Sequence, residues 1–232
     1  MNKKALVLSS GGIDSTTCLS IAINELGKEN VQTVSVLYGQ KHSKEIEYAK
    51  KVAEYYEVEH NIIDLSNTGI MDKSNCSLLV NSKIAIKEGS YADQIKQEKS
   101  GIVNTYVPFR NGLMLASVAA LAMSIYPDDE VDIYLGNHAD DIAGAAYADC
   151  SEEFTISIGK AINIGTYGKI NLKAPLVNLN KAEVIREGLK LGTPYHLTWS
   201  CYKGEEKPCG VCGTCIDRAR AFKLNNIDDP AL

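Results

Sequence analysis

The sequence lacks the features that mark several large classes of protein. It has no apolar run long enough to span a membrane, and no internal repeat or low-complexity tract. The apolar run before Ser9 is too short for a signal sequence. Lysine and arginine (24 residues) are fewer than aspartate and glutamate (29), and the net charge of −5 argues against an extended nucleic-acid-binding surface. We therefore expect a cytoplasmic globular protein, for which small charged ligands remain possible.

The chain also lacks the even number of cysteines expected of a disulfide framework. It contains seven, and four of them lie close together: Cys201, Cys209, Cys212 and Cys215. Without an export signal, this pattern indicates reduced thiols and a metal site. Four thiolates in so short a span favour a closed, tetrahedral zinc site with a structural role. A redox Cys-x-x-Cys pair and an iron–sulfur cluster are the competing interpretations.

The 232 residues suit one α/β domain, because segments of strand length alternate with segments of helical periodicity. This alternation predicts a doubly wound, mainly parallel sheet that binds ligands at its C-terminal edge. Strands are predicted over 5–8, 31–38, 58–65, 131–135 and 170–172. Helices are predicted over 14–26, 42–57, 113–125, 154–164 and 180–191, with a last one ending near 224. The helix over 113–125 is apolar nearly all round, so we expect it to be buried.

Two further segments set the domain organisation. The polar stretch over 66–105, with a weak helical pattern at 92–99, is interpreted as a variable insertion. It is either a plain surface loop or a cover over the site. We divide the chain into an α/β domain at 1–199 and a cysteine knuckle with its helix at 200–232.

The stretch Ser10-Gly-Gly-Ile-Asp-Ser15 lies between the first predicted strand and the first predicted helix. Its glycines let the backbone approach a ligand closely, and its serines add hydroxyl donors at the positive end of the helix dipole. Asp14 is unusual there because a carboxylate repels phosphate, so we interpret it as a helix N-cap or an indirect Mg²⁺ holder. No Gly-Lys-Ser/Thr follows, so this is not a Walker P-loop. An ordinary glycine-rich turn is the alternative.

The loop matches the SGGxDS signature of the N-type ATP pyrophosphatases. Further segments follow it in chain order: Tyr38-Gly-Gln-Lys-His42, Val107-Pro-Phe-Arg-Asn111, Tyr147-Ala-Asp-Cys150, Lys181-Ala-Glu183 and Thr198-Trp-Ser-Cys201-Tyr202. Together with the cysteine knuckle, they resemble the 7-cyano-7-deazaguanine synthases, the QueC family of the queuosine pathway, from about residue 5 to residue 221. The resemblance is looser over 136–141, where Ala139 stands at a position that the family commonly fills with glutamate.

The resemblance implies an adenine-nucleotide α-hydrolase (HUP) type of fold and cleavage of ATP to AMP and pyrophosphate. It also implies Mg²⁺, one structural Zn²⁺ per chain, 7-carboxy-7-deazaguanine and ammonia as substrates, a nitrile product and a homodimer. The implied ATP-binding residues are Leu8, Ser9, Ser10, Gly11, Gly12, Ile13, Asp14, Ser15, Thr16, Thr17 and Cys18. The candidate catalytic residues are Asp14, Ser15, Lys181 and Arg110. The candidate substrate contacts are Arg110, Asn111, Asp141 and Asp149.

The chemistry of these side chains leaves alternatives open. Lys181 and Arg110 suit phosphate or carboxylate groups, but a lysine just inside a helix start is also often only solvated. Asp141 and Asp149 suit the N–H donors of a deazaguanine, although one of them could instead cap the helix near 154. His138 and His42 could move protons or simply form hydrogen bonds.

Three other functions fit parts of the pattern. The first is a QueC-like ligase that stops at the amide or couples the activated acid to another amine. The second is a tRNA-modifying pyrophosphatase, against which the acidic balance counts. The third is a non-enzymatic nucleotide- or zinc-binding module, which would leave the intact loop unexplained.

Overall fold

The sheet is parallel and doubly wound. In a computed structural model, which describes residues 3–41, 44–86, 88–89, 103, 105–145 and 147–231, five strands pair in the order β3-β2-β1-β4-β5. Their bounds are Lys3–Leu8 (β1), Val31–Leu37 (β2), His60–Asp64 (β3), Glu130–Tyr134 (β4) and Ile170–Lys173 (β5). Every pairing is parallel. The predicted fold class is confirmed, and each predicted strand lies within two residues of the observed one.

Helices cover both faces of this sheet. Their bounds are Ile13–Leu26 (α1), Lys44–Tyr56 (α2), Arg110–Ile125 (α3), Glu152–Gly165 (α4), Lys181–Lys190 (α5) and Gly213–Leu224 (α6). Alternate residues of β1 belong to different cores: Val7 packs in the cluster that contains Leu19 and Phe222, whereas Leu6 packs in the cluster that contains Leu115. Because a parallel strand buried on both faces needs apolar residues at every position, β1 reads as a continuous apolar run.

The prediction that the helix over 113–125 is buried is wrong, because only one of its faces is buried. In α3, Leu115, Val118 and Ala122 are fully buried, but Ala116 and Ala120 on the other side are exposed. Alanine is small, so exposing it costs little hydrophobic free energy, yet it raises the apolar count of the sequence. The helix therefore packs through one face like the others.

The chain adds its first three strands toward one edge of the sheet and its last two toward the other edge, so the strand order reverses at β1. The strands β1, β2 and β3 follow one another outward, and the chain then returns to place β4 on the other side of β1. A crevice forms beyond the C-terminal ends of strands at such a switch point. Gly136 lies here, and a Cβ on it would be 3.0 Å from both the carbonyl carbon of Asp14 and the amide nitrogen of Ser15. Only glycine lets the chain after β4 pass so close to the start of α1.

Part of the predicted insertion packs beside this crevice. Leu78 and Leu79 share a buried cluster with Tyr38 and Val107, and Leu79 forms a backbone bridge with Gln40. The predicted helix at 92–99 lies outside the described residues. In the described part of the chain, none of the helices has the length and apolar character needed to cross a membrane.

The capping box predicted for α5 is confirmed. The Asn180 side chain accepts a hydrogen bond from the amide of Glu183, and the Glu183 carboxylate accepts one from the amide of Asn180. This reciprocal cap fixes the start of α5, and therefore the position of Lys181.

Candidate active site

A cavity of about 270 Å³ lies at the C-terminal edge of the sheet, at the switch point. Its walls come from the loop after β1, the start of α3, the segment after β4, the start of α5 and the segment around residue 200. These elements bring together groups that are far apart in the sequence: Ser10, Asp14, Arg110, His138, Lys181 and Trp199. Most of the candidate site residues therefore lie around one cavity.

The loop after β1 is shaped by its own hydroxyl groups and by one glycine. The amide of Ser10 donates to Ser15 Oγ at 3.2 Å, and the amide of Gly12 donates to Ser10 Oγ at 3.4 Å. Gly11 has a φ of +70°, and a Cβ on it would lie 2.5 Å from the backbone nitrogen of Ala49 in α2. The loop thus needs glycine both for its conformation and for its contact with α2.

Not every residue of the predicted ATP-binding run faces the cavity. The residues that line it are Leu8, Ser9, Ser10, Gly12, Ile13, Asp14 and Ser15. The residues outside its lining are Gly11, Thr16, Thr17 and Cys18. Thr17 Oγ1 donates to the carbonyl of Ile13 at 2.8 Å and hydrogen bonds to Tyr195 OH at 2.8 Å, and Cys18 is buried against the carbonyl of Leu135. Thr17 and Cys18 therefore support the loop from behind.

An ion pair joins the loop to α5. Lys181 Nζ lies 2.7 Å from Asp14 Oδ1 and 2.5 Å from Asp14 Oδ2. Burial disfavours the charged carboxylate, but the Lys181 ammonium and His138 outweigh burial and hold the pKa of Asp14 below its usual value. Gly12 occupies the N-cap position of α1, so the suggestion that Asp14 is the N-cap is wrong. Lys181 is not simply a solvated lysine, since its side chain is only 17% exposed.

His138 and Asp141 complete this charged cluster. His138 Nε2 lies 3.3 Å from Lys181 Nζ, 3.7 Å from Asp14 Oδ1 and 3.5 Å from Asp141 Oδ1. The Asp141 carboxylate accepts a hydrogen bond from the His138 amide, and burial raises the pKa of Asp141 although the imidazole opposes this. His138 Nε2 therefore faces one donor, the Lys181 ammonium, and two acceptors, the carboxylates of Asp14 and Asp141. His42, the other candidate histidine, lies outside the described residues.

Arg110 is the other cation of the cavity. Among the described residues, its guanidinium contacts the Asn111 side-chain oxygen at 3.4 Å and the ring of Tyr38, with 6.0 Å to the centroid, and neither partner is a carboxylate. A half-buried guanidinium with neutral neighbours leaves its charge available to an anionic ligand.

Asn111 and Asp149 hold the wall behind Arg110. The Asp149 carboxylate accepts a hydrogen bond from the Asn111 amide at 2.9 Å, at the start of α3. The Asn111 side chain in turn donates to the carbonyl of Asp149 and to Cys150 Sγ. Asp149 does not line the cavity, whereas Asn111 and Cys150 do. The geometry therefore gives Asp149 a positioning role at α3. The helix near 154 is capped by Ser151.

The four clustered cysteines fit a metal ion. The sulfur atoms of Cys201, Cys209, Cys212 and Cys215 all lie within 4.8 Å of one another, and three of the residues are buried. Backbone amides donate to two of the sulfurs, from Cys209 to Cys201 at 3.3 Å and from Cys212 to Cys209 at 3.4 Å. Such N–H donors are compatible with a metal site, whose ligands are commonly held in place by hydrogen bonds. The donor set fits the predicted tetrahedral zinc site.

The cysteine cluster adjoins the cavity wall. Trp199, Ser200 and Thr214, which flank the cysteines in sequence, line the cavity, and Thr214 Oγ1 donates to the carbonyl of Ser200 at 2.6 Å. The Trp199 amide donates to the carbonyl of Gly11 at 2.8 Å, so this wall is bonded directly to the loop. A metal in the cluster would brace the wall without touching the cavity.

Sequence reasoning missed several residues that build this site. Arg218 of α6 is buried and pairs with Asp229, at 2.6 Å from Nε to Oδ2, and it also donates to Thr198 Oγ1 at 2.8 Å. Asn137 lines the cavity, although nothing in its sequence neighbourhood distinguishes it from other loop asparagines. No periodic pattern marks such residues, because their partners are distant in the sequence or follow an irregular turn.

Comparison with known proteins identifies the chain. The fold and the site define a doubly wound α/β protein with a glycine- and serine-rich loop at its switch point. The profile of the family described as queuosine biosynthesis protein QueC matches residues 4–226. The chain therefore belongs to the QueC family, as its sequence segments predicted.

Individual relatives agree with this assignment. The chain is 41% identical over 227 residues to the 7-cyano-7-deazaguanine synthase of Caldicellulosiruptor saccharolyticus, covering 98% of this chain and 94% of the relative. It is 40% identical over 234 residues to the enzyme of the same name from Thermoplasma acidophilum, covering 98% and 91%. Among solved structures, an NH3-dependent NAD synthetase from Campylobacter jejuni aligns with a TM-score of 0.47 at 17% identity, covering 96% of this chain and 75% of that chain.

Proposed function

We propose that this protein is a 7-cyano-7-deazaguanine synthase, a ligase that converts 7-carboxy-7-deazaguanine and ammonia to the nitrile at the expense of ATP. The observation that carries the proposal is the match to relatives of that name over nearly the whole chain. The cavity supports it, because a loop suited to pyrophosphate lies in the same cavity as Arg110, a cation without a carboxylate partner among the described residues.

The chemistry needs two activations by ATP. The substrate carboxylate attacks the α-phosphate, which forms an acyl-adenylate and releases pyrophosphate. Ammonia then displaces AMP and leaves the primary amide. The amide oxygen attacks the α-phosphate of a second ATP and releases a second pyrophosphate, and loss of AMP and of both amide protons from this adduct gives the nitrile. Each step moves negative charge on phosphate oxygens, so the protein acts mainly by positioning and electrostatic stabilisation.

Different residues of the cavity would bind the phosphates, bind the substrate and stabilise charge. Ser10, Gly12 and Ser15 would hold the pyrophosphate, and Arg110 would receive the substrate carboxylate. Lys181 would stabilise charge on the phosphates once ATP competes with Asp14 for it. A bound Mg²⁺ would neutralise phosphate charge, with Asp14 the candidate to hold its shell. Zinc in the cysteine cluster would be structural. We also propose that the protein is cytoplasmic and, as the family resemblance implies, a homodimer. The division of the chain at 199/200 stays a prediction.

A mass-resolved turnover assay tests the proposal. The protein is incubated with 7-carboxy-7-deazaguanine, ammonium, Mg²⁺ and ATP, and the nitrile, amide, AMP and ADP are quantified. We expect nitrile and AMP. Lys181→Ala should lower kcat/KM by about 100-fold or more, because a cation that stabilises developing charge is lost. Lys190→Ala, at the exposed far end of the same helix, is the matched control and should behave as wild type.

The assay also decides against the alternatives. Accumulation of the amide alone would refute nitrile formation and point to the ligase that stops at the amide or couples the acid to another amine. Failure to consume the acid would refute this substrate. Unchanged turnover in Lys181→Ala would refute the role given to the ion pair.

A further inference from the structure

The Asn137 side chain leaves one of its polar atoms without a partner. The side chain is nearly fully buried and lines the cavity. Asn137 Nδ2 donates to the carbonyl of Cys150 at 2.7 Å and to Thr155 Oγ1 at 3.0 Å. Asn137 Oδ1 is buried and has no hydrogen-bond partner among the described residues. A buried acceptor in this state is unfavourable, and such groups in folded proteins are rare.

The two hydrogen bonds made by Asn137 Nδ2 determine which side-chain amide atom is the nitrogen and which is the oxygen. The Cys150 carbonyl can only accept. Thr155 Oγ1 spends its hydrogen on the carbonyl of Ser151 at 2.8 Å, so it too can only accept from Asn137. With the amide turned over, its oxygen would face two acceptors, so this orientation is ruled out. The atom without a partner is therefore the oxygen, Asn137 Oδ1, which can accept a hydrogen bond from an N–H or O–H donor.

The next residue shows the same incompleteness. His138 Nδ1 is also buried without a hydrogen-bond partner among the described residues. Two consecutive residues of one cavity wall thus each hold a buried side-chain polar atom without a partner in this part of the structure. This wall has the hydrogen-bonding capacity of a surface that is completed by a ligand.

We infer that Asn137 Oδ1 accepts a hydrogen bond from an N–H group of the bound deazaguanine, and that Asn137 is a specificity-determining residue for this ring. The inference rests on the proposed function, since that function supplies a base whose ring and exocyclic nitrogens are donors. The triphosphate and the substrate carboxylate are acceptors, so neither can satisfy this oxygen. The donors of adenine, ribose and ammonia are the same with every acid tested below, so only a bond from the deazaguanine changes with the analogue. Asn137 lies three residues after the end of β4, so its position is set by the sheet rather than by a long loop.

A variant-by-analogue experiment tests the inference. Turnover to AMP is measured for three acids: the parent, an analogue without the exocyclic 2-amino group, and an analogue methylated at the pyrrole nitrogen. Wild type and Asn137→Ala are compared with Thr155→Val, which removes one acceptor of Asn137 Nδ2 but leaves Oδ1 intact. An enzyme site with a buried acceptor left unpaired rejects the analogue that lacks the donor.

We expect wild type to disfavour at least one analogue by about tenfold or more in kcat/KM, and Asn137→Ala to lose that preference. Thr155→Val should lower turnover of all three acids equally and retain the preference. If Asn137→Ala instead lowers turnover of all acids by one factor, its role is structural and the inference is overturned. No wild-type turnover of the parent acid would overturn the proposed function itself, which is a different result.

Discussion

The buried ion pair between Arg218 and Asp229 gives a prediction whose size follows from its geometry. The two side chains are only 5% and 3% exposed, and the guanidinium bonds both carboxylate oxygens, at 2.6 and 2.8 Å. Replacing Asp229 by alanine leaves the guanidinium buried without its counter-charge. Removal of one partner from a pair of this kind costs about 3–5 kcal/mol of the free energy of unfolding. We therefore expect Asp229→Ala to be destabilised by that amount.

The double variant Arg218→Met with Asp229→Ala separates charge from packing. It removes both charges and leaves Thr198 Oγ1 without the donor that Arg218 supplies, whereas the carbonyl of Tyr195 still accepts from the Thr198 amide and hydroxyl. One unsatisfied buried acceptor costs about 1–3 kcal/mol. The double variant should therefore be more stable than Asp229→Ala alone, which is the signature of two residues that act as one unit.

Urea denaturation at fixed zinc concentration measures these differences, because metal binding contributes to folding stability. Lys190→Ala is the control, since its partner Glu187 is exposed and the pair is screened by solvent. The buried pair would not have the strength inferred from its geometry if Asp229→Ala stayed within about 1 kcal/mol of wild type. A double variant less stable than Asp229→Ala would refute the coupling between the two residues.

Three further predictions concern the loop and the cysteine cluster. Gly11→Ala should lower the free energy of unfolding by more than about 3 kcal/mol, because the added Cβ meets the backbone of α2. Gly168 has a similar φ of +77°, but a Cβ on it would have no atom within 4 Å, so Gly168→Ala should cost only about 1 kcal/mol. Equal losses in the two variants would show that only the backbone conformation matters. Asp14→Asn should lose about 1 kcal/mol of stability at pH 7. Because the folded-state pKa of Asp14 is lowered from 3.8, its contribution is present above that pH and is lost as the pH falls; a stability difference that does not shrink in acid would contradict the pairing. Elemental analysis should find about one zinc ion per chain, and Cys212→Ser should lose it; iron with visible absorbance would overturn the zinc assignment.

The loop and the sheet were predictable because their signals are local. The stretch from Ser10 to Ser15 combines glycine conformation, hydroxyl donors and a helix start within six positions, and the alternation of strand and helix fixes the order of the elements. The four cysteines were predictable for a related reason, because few structures other than a metal site bring four thiols together in a reduced protein.

The rest of the site depends on contacts that the sequence does not encode locally. Asp149 has the same chemistry as Asp141, and only the path of the chain places one at the amide of Asn111 and the other beside His138. Arg218 lies on a helix like any other arginine, until its docking next to Asp229 buries it. Their roles are set by tertiary packing, which periodicity and motif spacing do not report.

The contacts of Trp199 make the protein its own fluorescent reporter. It is the single tryptophan of the sequence, it is 4% exposed, and its indole N–H donates to the carbonyl of Cys201 at 2.8 Å. Its ring also lies beside Tyr48 and under the ammonium of Lys44. Selective excitation of tryptophan therefore reports on Trp199 alone, which contacts the thiol cluster on one side and the cavity on the other. We therefore expect the emission of this one chromophore to change when a metal enters the thiol cluster or a ligand enters the cavity, without any label.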